Sequence, residues 1–126
     1  RVNGSSIMES ANIVISAVDS IKARKDIWQA VKRSRPNWYI DARMSAEYCQ
    51  MFVVDMNYPK WYEDSLAGQD DSQIPDDPCT SKATIYTGCM AAGHIGAVVR
   101  RIVTDRQKPG ILTHDILKDK LNFLKL

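Results

Sequence analysis

At 126 residues, 44% of them apolar and 25% charged, the chain has the make-up of one globular domain or part of one. Its net charge of +2 is too small to argue for a nucleic-acid partner. No apolar run approaches the ~20 residues a membrane-spanning helix needs, so no membrane partner is expected. The sequence opens at Arg1 without a methionine and without a basic-then-apolar leader pattern, as expected of a cleaved or truncated product.

The first strong signal is Asn12–Val18, an apolar run broken only by Ser16. Such a run reads as a strand buried on both faces in a parallel sheet. It ends on Asp19 and Ser20. A helix follows over about Ile21–Ser34, with Ile27, Ala30 and Val31 forming one apolar stripe. A carboxylate at the carboxyl end of a parallel strand sits where open α/β sheets hold their ligands. Arg35-Pro36-Asn37 stops the helix, because the residue before proline avoids helical dihedrals.

Trp38–Met44 reads as a second strand and completes a right-handed βαβ unit, which brings Asp41 and Arg43 to the same sheet edge as Asp19. Asp41 and Arg43 either pair with each other or a neighbour, or line a channel for a substrate tail. Ser45–Gln50 is a turn or one helical turn. Met51–Met56 is a strand that follows too closely for a helical crossover and so pairs antiparallel. Cys49 at its edge reads as a small core residue. Lys60–Ala67 reads as a short helix anchored by Trp61, Tyr62 and Leu66. The surrounding aromatics lack interleaved basic residues, so they read as core rather than as a nucleic-acid platform.

Gly68–Cys79 carries two prolines, one glycine and four aspartates, and reads as a mobile acidic loop. Beyond it, a helix capped by Thr80 or Ser81 runs to Val103. Its surface is apolar or small almost all round, so it is expected to be buried. Gly88, Gly93 and Gly96 would be tolerated there if another backbone packs close by; alternatively Ala83–Tyr86 and Ile95–Val103 are each strands, which propensity alone does not exclude. Lys108-Pro109-Gly110 ends this unit, and 111–126 fits either helix or strand. His114 beside Asp115 reads as a surface or capping histidine.

Charge is uneven. Lys22–Arg43 carries +5, Lys60–Cys79 carries −5 and Arg100–Leu126 carries +4. These read as solvated faces, or as a basic surface for phosphates or an acidic partner. Three cysteines without a Cys-x-x-Cys pair favour free thiols in a reducing compartment, and a cytoplasmic location is expected. A zinc site from Cys79, Cys89 and His94 is conceivable, but that spacing fits no common zinc motif.

Three segments in order, VISAVDS with Arg24 and IW beyond it, WYIDARM, and PCTSKATIYTGCMAAGHIGAVV, resemble the adenylating enzymes of the ThiF/MoeB and ubiquitin-activating type, over about Met8 to Val103. The resemblance implies a Rossmann-like, mostly parallel α/β sheet with flanking helices and some antiparallel strands. It implies ATP and magnesium as cofactors, with Asp19 on magnesium and Arg24 steadying Asp19 or a phosphate. Cys79 would be the thioester cysteine, and the activated group the carboxyl terminus of a ubiquitin-like protein or peptide. The family's glycine-rich phosphate loop belongs upstream of Met8, and Asn3-Gly4-Ser5-Ser6 is not one. The chain therefore corresponds to the carboxyl half of such a domain. The amino half is expected on a second chain, or the open edge is covered by a homodimer mate; otherwise the chain is a non-catalytic partner or scaffold of the same fold. The structural zinc that many MoeB-like relatives hold on two cysteine pairs cannot be built here, so no structural zinc is expected. A cysteine at a helix start has its thiol pKa lowered by the helix dipole, which favours Cys79 over the mid-helix Cys89 as nucleophile.

Overall fold

The computed structural model describes residues 11–69 and 84–126. In chain order it contains β1 (Ile13–Ser16), α1 (Ile21–Ser34), β2 (Trp38–Ser45), β3 (Tyr48–Asp55), α2 (Lys60–Ala67), α3 (Ile85–Val103), β4 (Gly110–Asp115) and β5 (Lys120–Lys125). The five strands form one sheet in the order β1-β2-β3-β4-β5.

The α/β class holds, but the expected mostly parallel sheet does not. β1 and β2 pair in parallel, and the other three pairings are antiparallel. Connection length accounts for two of these three. β2 to β3 turns in two residues and β4 to β5 in four, which only antiparallel pairs allow, whereas α1 supplies the crossover that the parallel β1–β2 pair needs. β3 and β4 are joined through α2 and α3 and are antiparallel without that constraint. The β2–β3 turn places Ala46 at φ 47°, in the left-handed region. The open segment 111–126 is a hairpin of β4 and β5, not a helix.

Alternation along β2 feeds two cores. Tyr39 on one face joins Val14, Trp28, Val31, Phe52, Val54, Tyr62 and Leu66 beneath α1 and α2. Ile40 and Ala42 on the other join Met51, Val53, Leu112 and Val98 beneath α3. The sheet is thus the middle of three layers. Trp28, Tyr39 and Tyr62 are at most 2% exposed and pack edge to face, so these aromatics are core rather than a stacking platform.

β1 runs along one edge of the sheet. Val14 and Ser16 are buried and Ile13 packs partly against the core beneath α3, but Ile15 is 46% exposed, so this strand is fully covered on one face, partly on the other, and paired on one side among the described residues. α1 is capped by Ser20, whose side chain accepts from the Ala23 amide, and it ends with Arg35 left-handed at φ 50° rather than extended.

α3 differs from expectation at both its start and its surroundings. Thr84, not Thr80 or Ser81, is the N-cap. The helix is buried along one stripe only, by Thr87, Ala91 and Val98, while Ile85, Tyr86, Met90 and Val103 are exposed. A Cβ on Gly88, Gly93 or Gly96 would meet nothing within 4 Å, so the close backbone expected against these glycines is not among the described residues. No helix of the described residues is long and apolar enough to cross a membrane.

Candidate functional site at the carboxyl end of the parallel pair

Register explains the site. Ser16 at the end of β1 lies opposite Asp41 in β2, and both side chains point into the layer beneath α1 and α2. Arg24, one turn into α1, reaches the same point. Its Nε donates to Asp41 Oδ1 at 2.8 Å and Oδ2 at 3.0 Å. Arg43, two residues along β2 on the same face, donates from Nε to Oδ2 at 2.8 Å. Tyr62 of α2 donates its hydroxyl to Oδ2 at 2.9 Å, and Ser16 donates to Oδ1 at 3.1 Å. Because the Ser16 proton is committed to Asp41, the Tyr39 hydroxyl, 2.7 Å from Ser16 Oγ, is the donor in that contact. Asp41 is fully buried and Arg24 is 3% exposed. A carboxylate offers about four acceptor positions, and four donor groups use them. The fixed guanidinium geometry makes such a cluster strong only when it is satisfied throughout.

Two guanidiniums face this one carboxylate among the described residues. The outer one, Arg43, lies with its guanidinium 4.1 Å over the Phe52 ring and donates from Nη1 to Gln69 Oε1. Its Nη2 is buried with no hydrogen-bond partner among the described residues. Burial, followed by the charge of Asp41, pushes the Tyr62 and Tyr39 hydroxyls well above their ordinary pKa, so both remain donors.

Asp19 is exposed, beyond the end of β1. Because β1 and β2 are parallel, its edge is the one towards which Asp41 and Arg43 run. Arg24 ties the two levels together, donating from Nη2 to the Val18 carbonyl at 2.6 Å and so holding the turn that carries Asp19. Asp41 and Arg24 are consumed by each other, whereas Asp19 and one arm of Arg43 are not part of that pairing. Cys79 lies outside the described residues, as does most of the acidic 68–79 loop. The helix start expected beside Cys79 is at Ile85.

Sequence reading missed Ser16, Tyr39 and Tyr62 as partners of Asp41. The signal for Ser16 was its being the single polar break in an apolar strand; the tyrosines read only as apolar anchors. It also missed a second cluster. Cys49 of β3, His94 of α3 and His114 of β4 have ligand atoms all within 4.8 Å of one another. His114 is 9% exposed, a buried residue rather than the expected surface one, and Asp115 bonds Lys118 instead. A cleft of about 470 Å³ lies at the opposite, amino end of β2, lined by Lys32, Arg35, Asn37 and Met56, away from both clusters.

Compared with protein-family models the chain matches none, and a comparison with curated proteins finds no match.

Proposed function

We propose that the chain is the carboxyl half of an ATP-dependent adenylating domain of the ThiF/MoeB and ubiquitin-activating kind, which activates the carboxyl terminus of a ubiquitin-like protein or peptide. The observation that carries this reading is the β1-α1-β2 unit: a parallel pair whose carboxyl edge presents the exposed Asp19, braced through Val18 by the buried Arg24.

In the reaction a substrate carboxylate oxygen attacks the α-phosphorus of ATP, the bond to the bridging oxygen breaks, and pyrophosphate leaves with its electrons. Both reactants are anionic, so the site must supply positive charge. Magnesium ordinarily takes one or two carboxylates plus phosphate oxygens and waters, and a single exposed carboxylate such as Asp19 suits it; bound there, it would neutralise phosphate charge. Arg43, at the same edge and with its side chain 16% exposed, is the candidate for the carboxylate tail of the substrate or an adenylate oxygen. Asp41 acts through Arg24 and Arg43 as a positioning residue. Where a thioester follows, the Cys79 thiolate attacks the acyl carbon and AMP departs.

The side of β1 that no described strand pairs, and the small and apolar face of α3 exposed among the described residues, support a companion: a second chain carrying the phosphate loop, or a homodimer mate. The test is ATP–pyrophosphate exchange by the assembly containing this chain. Asp19→Ala is expected to lower exchange at least ~100-fold, as loss of a charge-stabilising group does. Exchange indifferent to Asp19→Ala contradicts the reading and leaves the scaffold role.

A further inference from the structure

We propose that Cys49, His94 and His114 form a zinc site at the junction of β3, α3 and β4. The inference is independent of the adenylation reading.

Each element is needed to build it. Cys49 and His114 are directly opposed in the β3–β4 ladder, and both belong to the sheet face covered by α3. His94 comes down from the middle of that helix, and its Nε2 lies 3.0 Å from His114 Nδ1. The two rings meet edge to face, with centroids 5.2 Å apart. All three ligand atoms lie within 4.8 Å of one another. Zinc bonds of about 2.0–2.1 Å to nitrogen and about 2.3 Å to sulfur put tetrahedral donors ~3.3–3.6 Å apart. The cluster therefore reaches metal geometry by side-chain adjustments of a few tenths of an ångström to about one ångström.

The donor chemistry points to the metal class. One thiolate and two imidazoles are borderline-soft ligands that suit zinc, and calcium and magnesium demand oxygen donors. Cys49 and His114 are 2% and 9% exposed, while His94 is half-buried. The apolar wall is supplied by Met51, Leu112 and Val98, packed on the same face. Such a wall keeps water from two of the ligands and leaves access on the side of His94. Three protein donors among the described residues leave a fourth position for water. This is the open coordination of zinc sites that bind or activate a ligand, as against closed four-ligand structural sites. The residues are far apart in sequence, so no spacing motif announces them.

Cobalt(II) is the probe, because it occupies zinc sites and its thiolate bond absorbs in the near ultraviolet. The chelator-stripped, reduced full chain is expected to bind one equivalent of Co²⁺ with a thiolate charge-transfer band that one equivalent of Zn²⁺ displaces. Cys79→Ser/Cys89→Ser, which leaves Cys49 as the single thiol, is expected to keep the band, and Cys49→Ser to lose it. Should Cys49→Ser fail to fold, His94→Gln decides, since His94 is half-exposed on a helix. It is expected to weaken binding at least ~100-fold, because removing a direct ligand must exceed the cost of removing an outer-shell partner. No thiolate band in the folded protein, a band that survives Cys49→Ser, a band lost from Cys79→Ser/Cys89→Ser, or undiminished binding by His94→Gln each overturns the site.

Discussion

Arg24 and Asp41 meet at 2.8 Å with side chains 4% and 0% exposed, and this buried pair joins the first helix to the second strand of the parallel unit. Truncating one partner of such a pair costs more than the pair contributes, because it strands a buried charge. Asp41→Ala is expected to destabilise the chain by about 3–5 kcal/mol in urea unfolding. Combining Arg24→Met with Asp41→Leu is expected to cost less than the sum of the single changes by roughly 1–3 kcal/mol. Additive single changes would mean that the contact contributes nothing specific.

Tyr62 donates to the same carboxylate, and a hydrogen bond to a charged group contributes roughly 1.5–3 kcal/mol. Tyr62→Phe is expected to lose about that much. The alkaline limb follows from the sign of the shift. Burial and Asp41 raise the folded-state pKa of Tyr62 and Tyr39 above the ordinary 10.0, so the folded chain resists losing those protons. Stability is full below pH 10 and falls as pH rises past it, when the unfolded chain ionises and the folded one does not. Spectrophotometric titration is expected to show two of the five tyrosines ionising only on alkaline unfolding. Five tyrosines titrating together in the folded chain would contradict this.

Glycines on α3 and at the start of β4 behave oppositely. Nothing among the described residues lies within 4 Å of a Cβ placed on Gly93 or Gly96, so alanine at either is expected to raise the stability of the isolated chain by up to ~1 kcal/mol through helix propensity alone. If a companion packs on this face, the same changes weaken the assembly, which light scattering detects. A Cβ on Gly110 would overlap the Leu124 carbonyl and lie 2.8 Å from the Phe123 ring. Gly110→Ala is therefore expected to release β5, read as amide exchange at 120–125 rising to the rate of unprotected chain.

Cys49 is 2% exposed and burial raises its thiol pKa, whereas Cys89 is exposed on α3. At limiting alkylating reagent Cys49 is expected to be labelled after Cys89. Labelling of Cys49 before Cys89 would contradict the packing of β3 against α3.

Much of this architecture is legible in the sequence. The apolar run after Asn12, the helix stripe through Ile27 and Val31, and the short gap between Trp38–Met44 and Met51–Met56 announce the βαβ unit and the antiparallel turn, because period and connection length act locally. The balance of the sheet is not legible, since a segment such as Leu121–Leu124 satisfies helix and strand patterns alike until β4 pairs with it. Nor is the surrounding of α3: periodicity counts its apolar faces but does not say whether the surface that covers them lies in the same chain. The Asp41 cluster and the Cys49–His94–His114 cluster depend on register between distant strands. Of the first, only the Asp41–Arg43 half was within reach of sequence spacing; of the second, nothing was.

In the proposed reaction the edge presenting Asp19 serves attack on the α-phosphorus of ATP. The most direct measurement is the identity of the nucleotide product when the assembly containing this chain turns over ATP with its carboxyl-terminal substrate. AMP and pyrophosphate are expected in equal yield, dependent on that substrate and lost in Asp19→Ala. Production of ADP and phosphate, or of AMP at an unchanged rate in Asp19→Ala, would contradict the proposed reaction.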